Sequence, residues 1–424
     1  MSQPTSPPPV TVIPSEAPGP AQGRWFLPTF VLAWFGVNLA LGTIGGASIP
    51  KAIAFLDDES KDTNLAIIAG VGGVIVMIIT PLFGRLSDRT RSRFGMRRPW
   101  MLGGVLFGLL GVVGLAFATN LVVMVASWAV VQIGFGATNM AQHALLADQV
   151  PTRIRARVAA ATGVAAGIAT IIGAAIVAAL PNDQRATWFL VPGVIGAVFA
   201  LVLMLGLRDR VRVEPAEPLS LRAIASTYWL NPLQYRDFAW AWFCRLFVTM
   251  SIVSVSLYLL FFIIDRLGIP KEQASGVQAQ ALLFFFVGNV VMTLLFGWIS
   301  DRTGRRKIIV FIACLVTCVG LTLAILAPDT LTFMVAIGIV GAGQGAFISV
   351  DVALMTEVLP NFDNAGKDLG IVALAYQLPQ LLVPLVAVPV LAIGGGGNYT
   401  ALYIVAIVLS LLGGLAVLPI KKVK

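Results

Sequence analysis

Two charged residues lie well inside long apolar runs of the sequence, and they are the first candidates for chemistry. Arg245 lies near the start of one run and Asp351 near the end of another. At a helical rise of 1.5 Å per residue both lie about 10 Å deep, where an unpaired charge costs at least ~2.5–3.5 kcal/mol. We predict that they form an ion pair and that Asp351 takes up a proton when the pair opens. A static pair that ties two helices together is the alternative.

His143, the single histidine of the chain, is a second candidate for proton transfer. Imidazole is the side chain that titrates near physiological pH, and His143 lies in an apolar run about one helical turn before Asp148. The alternative is a neutral histidine whose ring is satisfied by a neighbouring group.

Amides and aromatic rings recur in four apolar runs and could line a solute site. The candidates are Trp34, Asn38, Gln132, Asn139, Gln142, Gln344, Tyr376, Gln377 and Gln380. Spacings of three, four and seven residues place members of one run on one helix face. Such a lining offers donors, acceptors and a flat apolar surface to a neutral, hydroxyl-rich solute. Interhelical hydrogen bonds, typically worth ~0.6 kcal/mol each, are the alternative for any single residue.

The composition specifies the elements that must position these side chains. Of 424 residues 58% are hydrophobic and 12% charged, about half the ~25% charged residues of soluble domains. This excludes a soluble enzyme, a disordered chain and a disulfide scaffold. Twelve helical spans are predicted near 26–49, 65–83, 99–118, 121–147, 158–180, 186–207, 238–264, 274–297, 307–327, 331–357, 368–393 and 399–420. The expected fold class is an all-α, twelve-span membrane protein.

The net charge of +9 follows from membrane topology. Most Lys and Arg residues fall in the loops of one side, which the positive-inside rule assigns to the cytoplasm. Both termini are therefore expected inside, in a plasma membrane, and nucleic acid is not an expected partner. The predicted organisation is a disordered Pro-rich tail (1–23), two six-helix halves (24–207 and 238–420), a cytoplasmic linker (208–237) and a basic tail (421–424).

An internal repeat supports the two halves. The segment 83–90 matches 296–303 at an offset of 213, and 144–151 matches 353–360 at an offset of 209. The pair 95–98 and 304–307 shares the second offset. Two features at one offset predict halves of like orientation, an architecture known among secondary transporters.

The duplicated Gly…Ser-Asp-Arg run after the second and eighth spans resembles the signature of the major facilitator superfamily. Its longer first copy, 87–99, and the Leu-Leu-Ala-Asp run at 145–148 are similar to sucrose-type and glycoside–pentoside–hexuronide cation symporters. The resemblance implies a cytoplasmic gate that closes and opens during transport. Its expected members are Gly84, Asp88, Arg89, Asp148, Gly297, Asp301, Arg302 and Glu357. The two glycines are expected at close helix contacts, and the acids beside arginines or helix N-termini.

These observations favour a secondary transporter that carries a small organic solute by alternating access, with proton-coupled sugar or glycoside symport as the first hypothesis. Export of a small hydrophobic compound by proton antiport is the alternative. A membrane sensor or scaffold is the hypothesis from another class. No enzyme, cofactor or metal motif is present in the sequence, and a phosphate-binding loop is absent as well. The expected partners are the solute, a coupling ion and the bilayer, and the chain is expected to act as a monomer.

Overall fold

The computed structural model describes residues 22–211, 235–358 and 365–421, and for 365–370 the backbone alone. Over these residues the chain forms twelve helices that are long and apolar enough to cross a membrane. They are α1 (Phe26–Leu56), α2 (Lys61–Arg89), α3 (Arg98–Ala116), α4 (Leu121–Gln149), α5 (Thr152–Ala179), α6 (Arg185–Gly206), α7 (Arg236–Asp265), α8 (Lys271–Thr303), α9 (Arg306–Leu326), α10 (Thr330–Glu357), α11 (Ala365–Leu391) and α12 (Tyr399–Ala416). The predicted all-α, twelve-span fold is confirmed.

Polar residues at the helix ends explain where several helices begin and stop. The side chains of Asn120, Asp329 and Asn398 each accept a hydrogen bond from a backbone N–H in the first turn of α4, α10 and α12. Such caps satisfy donors that have no intrahelical partner. Helix α8 ends at Gly304, whose φ of 64° is a left-handed conformation that glycine adopts without steric cost.

The repeat seen in the sequence is also present in the packing. A Cβ at Gly111 would lie 2.6 Å from the backbone nitrogen of Val131, where α3 crosses α4. A Cβ at Gly320 would lie 2.7 Å from the nitrogen of Val340, where α9 crosses α10. Both members of the second pair are 209 positions after those of the first, so the two halves repeat the same close helix crossing.

The halves meet where α2 packs on α11 and where α5 packs on α8. The loops α2–α3, α4–α5 and α8–α9 lie at one end of the bundle, here called the basic side. The loops α1–α2, α7–α8 and α11–α12 lie at the other end, here called the far side. Residues 212–234, most of the predicted linker, and the predicted tail up to residue 21 lie outside the described residues.

Lys51 corrects the prediction that Arg245 and Asp351 are the two charges well inside the spans. Helix α1 continues past residue 49 through a π-helical turn, Ile44–Ser48, so Lys51 lies within the helix and is 1% exposed. Its ammonium donates to the carbonyl of Val177, 3.0 Å away, and lies 4.3 Å from the ring centre of Trp188. Position 181 is proline and has no N–H for that carbonyl, so Lys51 completes the end of α5.

Candidate functional site

Arg245 and Asp351 form the predicted ion pair. Nη1 of Arg245 on α7 lies 3.3 Å from Oδ2 of Asp351 on α10, and the two side chains are 18% and 8% exposed. The other carboxylate oxygen, Oδ1, is buried and has no hydrogen-bond partner among the described residues. A buried carboxylate with one oxygen unsatisfied is a group on which a proton is readily accommodated.

His143 contacts two of the predicted solute-lining residues, Trp34 and Asn139. Its ring is 4.4 Å from that of Trp34 on α1, at an interplanar angle of 50°, and its Nδ1 is 3.0 Å from the backbone oxygen of Asn139. Because a carbonyl oxygen only accepts, Nδ1 carries hydrogen and Nε2 is the acceptor of the neutral ring. Asn38 donates from its amide to the backbone oxygen of Trp34. The four residues form one cluster, here called the α1–α4 cluster.

We infer that the α1–α4 cluster faces the space between the halves. His143 is exposed, six residues before the end of α4, although the preceding Ala141 and Gln142 are buried. Its equivalent in the second half, 209 positions later, is Val352, which is 66% exposed. Equivalent positions of two like-oriented halves face the same central space, which supports this placement.

The remaining predicted lining residues do not join this cluster. Gln142 is fully buried, with both amide atoms unpartnered among the described residues. This corrects its assignment to a solute-facing surface, because the neighbouring His143 occupies the exposed face. The Gln132 amide packs against Gly72 of α2, and the side-chain oxygen of Gln344 is buried with no hydrogen-bond partner in the part of the chain that the structure describes.

Helix α11 contributes its predicted residues at the boundary between the halves. The backbone of Gln380 packs on Gly73 of α2, where an added Cβ would lie 2.9 Å from the carbonyl carbon of Gln380. Tyr376, one turn towards the basic side, is 58% exposed, and Gln377 is half-buried. These residues therefore lie near α2, and no hydrogen bond described for them reaches the α1–α4 cluster.

Arg97 connects the predicted gate acids of the first half. Its Nη2 lies 2.6 Å from Oδ1 of Asp88 and 2.8 Å from Oδ2 of Asp148, and its Nη1 donates to Ser87. The Arg97 side chain is 5% exposed. The backbone N–H groups of Arg97 and Arg98 donate to Asp209, at 2.6 and 2.9 Å. Asp209 was expected in the linker, but in the structure it accepts hydrogen bonds from the first turn of α3 and so orients Arg97.

The second half repeats part of this network. Arg306, 209 positions after Arg97, pairs with Glu357, 209 positions after Asp148. These positions were predicted as partners of loop arginines, and the pairing is confirmed in both halves. Arg302 lies over the ring of Trp298, 4.0 Å from its centre, and Asp301 is exposed. Each of these pairs stays within its own half.

Gly84 and Gly297 are not at the close helix contacts expected for them. Among the described residues, no heavy atom lies within 4 Å of a Cβ added at Gly84, and one added at Gly297 meets Ser349 at 4.0 Å. The tight crossings occur deeper in the bundle, as at Gly341 and Gly345 of α10, where an added Cβ would clash with the α8 backbone. In this conformation no described residue makes a close contact at Gly84 or Gly297.

Ionic contacts between the halves lie on the far side and were missed by the sequence analysis. The Lys61 ammonium is 2.8 Å from carboxylate oxygens of both Asp58 and Asp265. Lys271 lies 2.7 Å from the other oxygen of Asp58, and Tyr399 donates to Asp62 at 2.7 Å. We call these six residues the far-side lock: three come from the α1–α2 region and three from the second half. Acids and lysines in the far-side loops were the available signal, but they were interpreted as topology alone.

Removing a charge of the far-side lock is expected to open that side. Each partly exposed ion pair is worth up to about 1 kcal/mol, or about fivefold in population. A Lys61→Gln protein, which loses two such pairs, should therefore alkylate faster, by up to about fivefold for each pair lost, at a cysteine placed at Ser275, which is 3% exposed on α8. The three native cysteines are buried and give little background. The charge swap Lys61→Asp with Asp265→Lys should restore part of the protection, because it re-forms the pair between positions 61 and 265 but not the pair with Asp58. An unchanged rate in Lys61→Gln would contradict the lock.

The far-side lock is expected to weaken in acid through Asp58. Hydrogen bonds from Lys271 and Lys61 hold the pKa of Asp58 below its usual value. A lowered pKa means that the stabilisation is fully present above the usual value of about 4 and is lost as pH falls through the lowered value. The distance between spin labels on the far side, at positions 59 and 273, should show an acid step below about pH 4 that is absent in Asp58→Asn. The same step in both proteins would assign it to another group.

Comparisons with known proteins agree with this architecture. The family model described as Major Facilitator Superfamily matches residues 25–284 and 272–424. An uncharacterized symporter of Synechocystis sp. is 56% identical over 36 residues, a stretch that covers 8% of this chain and 7% of that protein. The chain thus aligns with only a small part of that relative.

Solved structures share the fold at low sequence identity. A mutant of the nucleoside transporter NupG superposes with a TM-score of 0.74 at 11% identity, covering 94% of this chain and 100% of the other. A D-xylose-proton symporter gives 0.68 at 17% identity, with 94% and 97% covered. An inward-facing, occupied bacterial homolog of Spinster gives 0.66 at 14%, with 93% and 95% covered. With twelve spans in two repeated halves and a family match along nearly its whole length, the chain belongs to the major facilitator superfamily of membrane transporters.

Proposed function

We propose that the protein is a secondary active transporter that carries a small organic solute by alternating access, and that the described conformation is closed on the far side. The observation that carries this proposal is the distribution of ion pairs. The far-side lock joins the two halves through Lys61 with Asp265 and Lys271 with Asp58. On the basic side, Arg97 and Arg306 pair within their own halves. A molecule closed at one end between two rigid halves is one state of a rocking transporter.

The basic side is proposed to be cytoplasmic, in a plasma membrane, by the positive-inside rule. The described conformation then faces inward, with the α1–α4 cluster accessible from the cytoplasm. The proposed active unit is one chain, because each half supplies its own network and the central space lies between halves of the same chain.

A neutral, hydroxyl-rich solute such as a sugar or glycoside fits the α1–α4 cluster. The indole of Trp34 lies 4.4 Å from the imidazole of His143, which provides a flat apolar surface. The acceptor Nε2 of His143 and the amides of Asn38 and Asn139 provide hydrogen-bonding groups. The lining has no permanent charge among its described members, which favours an uncharged solute.

Protons are the proposed coupling ion, taken up at Asp351. Its Oδ1 has no described partner and its Oδ2 faces Arg245 across 3.3 Å. The pair joins α7 to α10 within the second half, so protonation would release a contact between two helices that border the central space. His143 is a second proposed proton acceptor through Nε2, and symport follows if solute and proton bind the same state.

Export of a small hydrophobic compound is the second candidate, and one cavity favours it. About 210 Å³ is enclosed between α1, α5, α7 and α8, bordered by Gly167, Leu282, Phe285 and Phe286. The polar groups on its wall include Thr43, Thr170, Ser256 and Gln278. This wall suits an apolar solute better than the α1–α4 cluster does.

Counterflow in proteoliposomes separates these functions. Purified protein is reconstituted, vesicles are loaded with one unlabelled compound of a panel of sugars, glycosides and hydrophobic cations, and entry of the labelled compound is measured. Exchange of a sugar that an inward proton gradient accelerates supports symport. Exchange of a hydrophobic cation that the same gradient drives in the opposite direction supports export. Exchange of no compound would contradict transport of these solute classes and favour a sensor or scaffold.

A further inference from the structure

One hydrogen bond crosses between the halves beneath the far-side lock. Nε2 of Gln278 on α8 donates to the backbone carbonyl of Gly46 on α1, 2.9 Å away and 232 positions distant in the sequence. Gln278 is 2% exposed, although glutamine is mostly a surface residue in proteins. Neither group carries a charge, so this contact differs in kind from the ion pairs of the lock.

The sequence of α1 explains why the Gly46 carbonyl is available to another helix. In a regular α-helix this carbonyl would accept from the N–H of residue 50. Position 50 is proline, which has no N–H and whose ring clashes with the carbonyl four residues earlier. The helix passes this point through the π-helical turn Ile44–Ser48, a rare element that is frequent at functional sites. An unpaired carbonyl inside a span costs free energy, and Gln278 supplies the missing donor.

The part of α1 that follows the π turn is fixed to the first half. Ser48 donates from its hydroxyl to the carbonyl of Trp188, 2.6 Å away, and Lys51 donates to the carbonyl of Val177 on α5. Ser48 and Lys51 are 0% and 1% exposed. The π turn therefore moves with the first half, and its bond to α8 must break when the two halves separate on the far side.

The bond lies at the far-side end of the cavity between α1, α5, α7 and α8. Of the residues on α8 that border this cavity, Gln278 lies nearest the far-side end of the helix and Phe286 lies deepest. Lys271 of the far-side lock precedes Gln278 by seven residues, so the bond lies about 10 Å deeper than the lock. It separates the cavity from the far side.

We propose that Gln278 and the Gly46 carbonyl form an inner gate on the far side, an uncharged layer beneath the ionic far-side lock. This inference rests on the proposed alternating-access function. The ion pairs of the lock are partly exposed and weaken with salt, whereas a buried bond between neutral groups does not. The inner gate therefore keeps the cavity closed when the lock is screened. When the far side opens, water in the opened path satisfies both groups, so the gate can break and re-form in each cycle.

Alkylation of a cysteine placed at Ser275, measured on the purified full chain in detergent, tests the inner gate. Gln278→Met keeps the length of the side chain but removes the donor, and should speed the reaction about fivefold, the effect of one hydrogen bond. Gln280→Met is the matched control, because Gln280 is exposed on the same helix, and it should leave the rate unchanged. In about 1 M KCl, where the Debye length is ~3 Å, the acceleration by Lys61→Gln should shrink and that by Gln278→Met should persist.

Pro50→Ala tests the same bond from the side of α1. The variant restores the N–H at position 50, which competes with Gln278 for the Gly46 carbonyl, so alkylation should again be faster. The double variant with Gln278→Met should react no faster than the faster of the two single variants, because both changes remove one bond. The distance between spin labels at positions 59 and 273 gives a second readout away from the substituted residues, and it should lengthen in Gln278→Met.

An unchanged rate and distance in Gln278→Met, loss of its effect in salt, or multiplication of the two effects in the double variant would overturn the inner gate. Solute counterflow separates these outcomes from a failure of the proposed function. Counterflow in a protein whose far side is insensitive to Gln278→Met supports transport and rules out the gate. Faster alkylation in Gln278→Met of a protein that exchanges no compound of the panel supports the gate and contradicts transport of those solutes.

Discussion

Asp351→Asn is expected to abolish uphill solute uptake driven by protons while leaving counterflow intact. With one proton per solute, a gradient of one pH unit supports about tenfold accumulation, and the variant should reach only equilibration. The physical reason is that asparagine keeps the size of Asp351 but cannot take up a proton. Uptake of the solute identified by counterflow, measured with and without the gradient, gives the accumulation ratio.

Two further variants test whether the loss is due to the proton site. Arg245→Gln combined with Asp351→Asn removes both charges and avoids an unpaired buried cation, which is the costly outcome of breaking such a pair. It should fold and remain uncoupled. Glu357→Gln removes a carboxylate that is 42% exposed at the end of the same helix, and it should keep coupling. Tenfold accumulation retained by Asp351→Asn would reduce the pair to a static tie between α7 and α10.

Arg97→Met is expected to destabilise the protein by about 3 kcal/mol, the lower end of the cost of breaking a buried pair. The side chain of Arg97 is 5% exposed, and its guanidinium group donates hydrogen bonds to Asp88, Asp148 and Ser87. Its removal leaves two carboxylates side by side. We expect the loss of stability to lie at the lower end of this range because the Asp88 side chain is 56% exposed and remains hydrated.

The repeat supplies a matched control for this prediction. Arg306→Met removes the equivalent arginine, whose side chain is 23% exposed and whose partner Glu357 is 42% exposed, so a loss of about 1 kcal/mol or less is expected. Thermal unfolding of both variants in the same detergent measures the difference. A larger loss of stability in Arg306→Met than in Arg97→Met would contradict the assignment of Arg97 as the buried centre of its network.

The features that were predicted correctly each depend on one quantity that can be read directly from the sequence. The apolar content predicted twelve spans, and equal depth in the membrane predicted that Arg245 and Asp351 pair. In the structure the two side chains lie 3.3 Å apart. The offset of 209 predicted equivalent partners, and Arg97 with Asp148 and Arg306 with Glu357 are such partners. In each case the cost of burying a charge or the repeat of a sequence pattern leaves few other arrangements of the residues.

What could not be predicted depends on contacts between segments far apart in the chain. Lys51 was assigned to a loop because nothing local shows that α1 continues through a π turn and that Pro181 leaves a carbonyl for it. The far-side lock joins Lys61 to Asp265 and Asp62 to Tyr399, over 204 and 337 positions. Gln142 and His143 are adjacent, and which of them faces the central space depends on the rotation of α4.

The central claim is that opening of the far side and closing of the basic side are one motion. Distances between spin labels test it most directly, with one pair on the far side at positions 59 and 273 and another on the basic side at 93 and 305. Lys61→Gln with Asp265→Asn should lengthen the first distance and shorten the second in the same fraction of molecules. Lengthening on the far side with no change on the basic side would contradict alternating access.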